Sequence, residues 1–182
     1  MTQNARPTIR LFNLEVRFKP SFVPGFLLLS LVLTVLAGLF TPMPWGTALI
    51  AGVLAAGIHV ISEFFHHLGH AFAARRVGYP MKGVTFLWVL AASVYPSDEP
   101  ELPAETHIQR ALGGPMWSIL LTLIAGVLFI FVSGTQGLAY WLVFWLFWDN
   151  LLTFSLGAFL PLGFTDGSTL LEWFPKLGEK HE

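Results

Sequence analysis

One stretch of the sequence concentrates side chains that could bind a metal ion. His66 and His70 are four residues apart, a spacing that lets two imidazoles on one helix face reach the same ion. At 100° per residue, a helix would bring five ionisable side chains within about 100° of one another. These are His59, Glu63, His66, His67 and His70. The stripe predicts a metal site, and the competing interpretation is a helix that packs polar side chains against partner helices.

The segment from His66 to His70 matches the zinc-binding motif H-E-x-x-H at all but one position. In that motif the histidines bind the metal and the glutamate acts as general base. Here the second position is His67. The chain has no cysteine, so thiolate ligands are excluded and histidine with aspartate or glutamate must hold any metal.

The composition is that of a membrane protein. Of the 182 residues, 54% are hydrophobic and 12% are charged, whereas a soluble domain has about 25% charged residues. Several apolar runs reach the length of about 20 residues that a membrane-spanning helix needs. In such a protein, ionisable side chains face the protein interior or a water-filled cavity. The net charge of −1 offers nucleic acid no attraction, so we expect no nucleic-acid partner.

Four apolar spans are predicted, which gives an all-α polytopic membrane protein with one small β element. The second span carries the histidine stripe. Between the second and third spans, apolar residues alternate from Val84 to Leu90, which predicts a β-hairpin or re-entrant strand; a short fifth helix is the competing interpretation. The third span is interrupted early by glycine and proline at 113–115. The predicted spans are Phe22–Phe40, Thr47–Arg76, Thr106–Val132 and a fourth from Leu138.

The flanking segments predict domain limits and an orientation. Residues 1–21 form a cytoplasmic arm of one or two short strands, residues 22–176 form the membrane domain, and 177–182 form a polar tail. Basic residues precede the first span and end the second, which places both termini in the cytoplasm: Arg6, Arg10, Arg17, Lys19, Arg75 and Arg76. We expect a multi-pass protein of the bacterial inner membrane, in contact with lipid.

Near the end of the chain, Asp166 stands alone as a carboxylate among leucine, phenylalanine and glycine. It would suit the N-cap of a helix over Gly167–Phe174, a role that is compatible with metal binding.

Three segments together resemble the site-2 protease family of intramembrane zinc metalloproteases, in its compact form without a PDZ domain. His66–Ala71 resembles the family's H-E-L-G-H-A segment, and Ala111–Pro115 resembles its A-x-A-G-P segment. Phe159–Gly167 resembles N-L-x-P-x-x-P-x-D-G-G. The order and spacing of the three segments carry the resemblance, which extends over nearly the whole chain.

The resemblance implies a metal site and a reaction. His66, His70 and Asp166 would bind zinc, with water in the fourth position. The residue after His66 would be the general base that takes a proton from that water. The sequence departs from the family at that residue, His67, and at two asparagine positions, which here are Ser118 and Ala158.

Three functions follow as hypotheses. The first is a pseudoprotease that keeps the fold and a zinc site and acts as a binding module or a subunit of a membrane complex, with other membrane proteins as partners. The second is an active zinc protease in which His67 or Glu63 serves as the base. The third is a metal-handling or transport protein that uses the whole histidine stripe.

Overall fold

The computed structural model describes residues 8–178, which form a mostly helical protein with one small sheet. This range leaves out residues 1–7 of the predicted arm, which include Arg6. It also leaves out residues 179–182 of the predicted tail. The elements are β1 (Ile9–Leu11), β2 (Leu14–Phe18), α1 (Phe22–Phe40), α2 (Trp45–Arg76), β3 (Gly83–Leu87), β4 (Leu90–Val94), α3 (Ala104–Val132), α4 (Leu138–Asp149) and α5 (Asp166–Trp173). A π-helix (Asn150–Leu156) and a 3₁₀ turn (Gly157–Phe159) continue α4, and a second 3₁₀ turn (Phe174–Lys176) follows α5.

Four helical segments of the described range are long and apolar enough to cross a membrane: α1, α2, α3 and Leu138–Phe159. The prediction of a mostly helical protein with four long apolar helices is confirmed. Large apolar side chains on the outer faces are exposed, such as Leu39 on α1 and Ile130 on α3, as expected for helices whose surroundings are lipid. With 32 residues, α2 is about 48 Å long and exceeds the hydrocarbon thickness of about 30 Å.

The strands form a four-stranded sheet in the order β1-β2-β3-β4. Strands β2 and β3 pair in parallel, and the two outer pairs are antiparallel. Residues 81–96 thus contain the predicted hairpin, and the competing short helix is wrong. The hairpin is only half of a sheet that the N-terminal strands complete. Val16, Val84 and Phe86 bury their side chains in a core shared with Ala71 and Ala74 of α2.

Small residues allow the long helices to approach closely. At the crossing of α2 and α3, Gly69 lies against the Gly113 backbone, and a Cβ atom at either position would collide with the other glycine's carbonyl. Such crossings are typical of membrane helices. Helix α3 is continuous through Pro115, so the predicted interruption is wrong. The glycines before the proline serve packing against α2 rather than a break.

Candidate metal centre

Two histidines of α2 and the first residue of α5 meet inside the protein. His66 Nε2 lies 3.0 Å from His70 Nε2. The Asp166 carboxylate approaches the same two atoms, with Oδ2 at 3.2 Å from His66 Nε2 and Oδ1 at 3.3 Å from His70 Nε2. Among the described residues, these three form the group of histidine and acidic side chains that could hold one ion. Ligand atoms bound at about 2.0–2.2 Å to one tetrahedral ion have similar mutual separations.

Helix α3 fixes the far side of both imidazole rings. His70 Nδ1 lies 2.8 Å from the Arg110 carbonyl oxygen, and His66 Nδ1 lies 2.9 Å from Ser118 Oγ. Such bonds to the second ring nitrogen set the tautomer and orientation of metal-binding histidines. The Arg110 carbonyl can only accept, so His70 carries a proton on Nδ1; a proton on His66 Nδ1 as well would leave both Nε2 atoms free to bind an ion. The two rings are therefore held as a pair of ligands would be.

The absence of a side chain at Gly114 makes room for the two rings. A Cβ atom at this position would collide with Nε2 of both His66 and His70. Helix α3 therefore approaches the paired nitrogens closely enough to cover them on one side, while Asp166 approaches them from another.

Asp166 enters the site from the start of α5. The helix begins at Asp166, and Thr165 occupies the N-cap position, so the predicted N-cap role of Asp166 is wrong. Its carboxylate instead faces the two imidazoles. Burial alone raises the pKa of this carboxyl group, but the neighbouring His66 and His70 outweigh that effect and lower the pKa to about 2. The group is an anion at neutral pH, as a metal ligand must be.

His67 and Glu63 form polar contacts with the β3–β4 hairpin rather than with this centre. His67 Nδ1 lies 2.9 Å from Ser93 Oγ, and its Nε2 lies 3.5 Å from Glu63 Oε1. Glu63 Oε1 in turn accepts a hydrogen bond of 2.7 Å from the Ala91 N–H. Both nitrogens of His67 therefore have partners outside the group of His66, His70 and Asp166.

His59 has a third environment. Its Nδ1 lies 3.0 Å from Asp149 Oδ2 of α4, and its Nε2 lies 2.8 Å from the Val89 carbonyl oxygen. Both partners accept hydrogen bonds, so the arrangement fits an imidazolium that donates twice. All five members of the stripe are buried, but the structure divides their contacts: His66 and His70 meet α3 and α5, Glu63 and His67 meet the hairpin, and His59 meets both the hairpin and α4.

A cavity connects the two groups. It has a volume of about 870 Å³ and is lined by His66, His70 and Asp166 together with Glu63, His67 and part of β4. The volume falls within the range of about 300–1,000 Å³ found for small-molecule sites. A ligand in this cavity would contact the histidine pair and the hairpin at once.

Two buried polar residues, Arg110 beside the site and Asn150 of the π-helix next to α2, belong to no motif, and their roles were not predicted. Arg110 is buried, forms a two-point ion pair with Glu99, and donates to the Tyr79 carbonyl oxygen. Glu99 belongs to the loop between β4 and α3. Asn150, also fully buried, donates to Ser62 Oγ on α2 at 2.9 Å. The sequence did give one sign of them, because an arginine and an asparagine within apolar spans are expected to have partners inside the protein.

Comparison with known proteins bears on the fold. No protein-family model and no curated protein sequence matches the chain. Among solved structures, the site-2 protease from Methanocaldococcus jannaschii is similar, with a TM-score of 0.59 and 16% sequence identity. The similarity covers 96% of this chain and 74% of that one. The chain therefore has a site-2-protease-like fold, with a histidine–aspartate group inside it.

Proposed function

We propose that this protein is a multi-pass membrane protein that binds zinc through His66, His70 and Asp166 and is impaired as a protease. It would act as a binding module or as a subunit of a membrane complex. One observation carries the proposal. The ligand atoms of those three residues converge, whereas His67, in the base position of the resembling family, has both ring nitrogens directed at Ser93 and Glu63.

The donor set fits zinc, which takes imidazole nitrogen and carboxylate oxygen readily. His66 and His70 would bind it through Nε2 and Asp166 through its carboxylate. Bound zinc supplies Lewis acidity and lowers the pKa of a coordinated water. Ser118 and the Arg110 carbonyl would keep the rings aimed, and Gly114 would leave the ion its space.

The proposed loss of protease activity follows from how close a general base must lie to the proton that it removes. A base must lie within hydrogen-bond distance of the proton that it removes, and losing it typically lowers the rate by about 10²–10⁴-fold. The Glu63 carboxylate is bonded to Ala91, and the His67 imidazole is bonded to Ser93. In this arrangement both groups are engaged with β4 rather than with the histidine–aspartate group.

An active zinc protease is the second candidate. His67 and Glu63 line the same cavity as the proposed ligands, and the His67 ring centroid is 5.5 Å from that of His70. The Glu63 carboxylate, 3.5 Å from His67 Nε2, would orient the imidazole for that role. This candidate requires one of the two side chains to leave the hairpin.

Metal content tests the site. Purified protein should contain about one zinc ion per chain, because the three ligands form a single group. His66→Ala and Asp166→Ala should lose the ion, whereas Glu105→Ala, which removes an exposed carboxylate of α3 outside the group, should retain it. Wild-type protein without metal would contradict the proposal. Several ions per chain would favour the metal-handling alternative.

Cleavage of a membrane-spanning substrate tests the impairment. Wild-type protein should give no product, and His67→Glu should restore cleavage by supplying a carboxylate at the base position. Cleavage by the wild type that is lost in His66→Ala would establish the active protease instead.

The proposals on partners and on membrane orientation come from the sequence. We propose a bacterial inner-membrane protein with both termini in the cytoplasm, on the basis of its lysine and arginine distribution. Reporter fusions at both ends should show cytoplasmic signals. Co-purification with other membrane proteins from mild detergent would support the subunit role, and a monodisperse monomer would count against it.

A further inference from the structure

Helix α2 meets strand β4, and the turn residue just before it, through three polar contacts at a regular spacing. His59 contacts the Val89 carbonyl oxygen, and Glu63 contacts the Ala91 N–H. His67 contacts Ser93 Oγ. Every fourth residue of the helix thus meets every second residue of the strand. We call these three contacts the α2–β4 seam.

The seam follows from the dimensions of the two elements. Four residues of an α-helix advance about 6 Å along its axis, and two residues of a strand advance about 6.4–6.8 Å. Because α2 and β4 run in the same direction along the seam, the match persists over three successive contacts. The contacts differ chemically, since the helix reaches a carbonyl oxygen, an N–H group and a hydroxyl in turn.

The seam takes the place of a neighbouring strand. Strand β4 is the last strand of the sheet. The Lys82 N–H donates to the Val94 carbonyl oxygen, so the backbone of Val94 faces β3. In an antiparallel pair the facing direction alternates, and the backbones of Ala91 and Ser93 therefore face away from the sheet. An edge N–H such as that of Ala91 needs another acceptor when it is sheltered from water, and the Glu63 carboxylate supplies it.

The tip of the hairpin is held at the start of the seam. Trp88 adopts a positive φ of 51°, which is costly for a bulky residue and persists only where the surroundings impose it. Its backbone packs against Gly25 of α1, where a Cβ atom would collide. On the next residue, the Val89 carbonyl is fixed by His59, which is itself anchored by Asp149 of α4. Three helices thus set the position of the turn.

We propose that the seam is a positioning device that fixes β4 as a wall of the cavity beside the histidine–aspartate group, with Glu63 as its central positioning residue. The stripe on α2 then has two separate functions. His66 and His70 face the proposed metal, while His59, Glu63 and His67 hold the hairpin. This inference concerns β4 alone and does not depend on whether zinc is bound.

Hydrogen exchange measured by mass spectrometry on the full chain in lipid nanodiscs tests the proposal. In Glu63→Leu, exchange within residues 87–95 should accelerate at least about tenfold, because the acceptor of the Ala91 N–H is lost. Glu63→Gln keeps a carbonyl acceptor and should restore most of the protection. Glu172→Gln removes an exposed carboxylate of α5 and should match the wild type. Zinc content should be the same in all four proteins.

Two results would overturn the proposal: unchanged exchange in Glu63→Leu, or exchange in Glu63→Gln as fast as in Glu63→Leu. Loss of zinc from Glu63→Leu would also overturn it, by placing Glu63 in the metal centre.

If Glu63→Leu does not fold, Ser93→Ala gives a second test from the strand side. It should accelerate exchange in the same segment, and Ser93→Thr, which keeps the hydroxyl, should reverse the effect; exchange equal to the wild type in Ser93→Ala would refute the seam.

Discussion

Two adjacent histidines of α2 have opposite surroundings. The His66 ring lies between Ser118 and Asp166, whereas His67 lies between Ser93 and Glu63. Neighbouring residues on a helix differ by 100° in direction, which suffices to send one ring to α3 and the other to the hairpin. The chemistry available to each imidazole is thus decided by what packs against its side of α2.

Gly114 offers a sharp test of the metal centre at the level of one residue. Gly114→Ala would place a methyl group on the two Nε2 atoms, so zinc binding should be lost and the melting temperature should fall. Gly57→Ala is the matched control, because a Cβ atom there meets nothing within 4 Å. In a helix that change should be neutral or stabilising by up to about 1 kcal/mol. Metal analysis and thermal unfolding in detergent measure both effects; zinc retained by Gly114→Ala would contradict the proposed centre.

At the level of elements, the short helix α5 delivers the aspartate. Its far end is held on α3, where the Trp173 ring stacks on His107 with centroids 3.9 Å apart, and Lys176 Nζ lies 4.1 Å from the Trp173 ring. Leu170 is buried against Ile108 and Ala111 on the same side. Asp166 therefore depends for its position on contacts more than one helical turn away.

Removing the aromatic anchor of α5 should weaken metal binding without touching a ligand. In Trp173→Ala we expect the zinc affinity to fall by about 10–100-fold, the range seen when groups that support metal ligands are lost. Leu171→Ala removes an exposed side chain of the same helix and should leave the affinity unchanged. Competition with a chelator measures both variants. Equal affinities would show that the loop before Asp166 suffices to place it.

The sequence predicted the secondary-structure elements better than it predicted the side-chain contacts between them. The bounds of α1 agree with the prediction at both ends, because a leucine-rich run between turn residues specifies a span by itself. The hairpin was located by its alternation. The division of the histidine stripe could not be predicted, since all five side chains fall within one broad helical face. Which neighbour each side chain meets depends on the packing of α3, α5 and β4, and on residues such as Ser93 and Ser118 whose partners the sequence does not specify.

At the scale of the whole molecule, the proposed ligands join distant parts of the chain, since α2 contributes two and α5 contributes one. An ion bound only by the folded state stabilises it by an amount that grows with its concentration, about 2.7 kcal/mol at 100 times the dissociation constant. Removing zinc with a chelator should therefore lower the melting temperature of the wild type, and zinc should restore it. His66→Ala should show no zinc-dependent shift. A wild type insensitive to both treatments would argue against a structural metal.

The length of α2 determines how deep the histidine–aspartate group lies. His70 precedes the basic end of the helix, Arg75 and Arg76, by only five and six residues, which corresponds to about 8–9 Å along the axis. Charged arginine side chains settle at the headgroup level. With Arg75 and Arg76 at the headgroups, the group would lie shallow in the bilayer on that side. Ions and water from that side would then have the shorter path to the group.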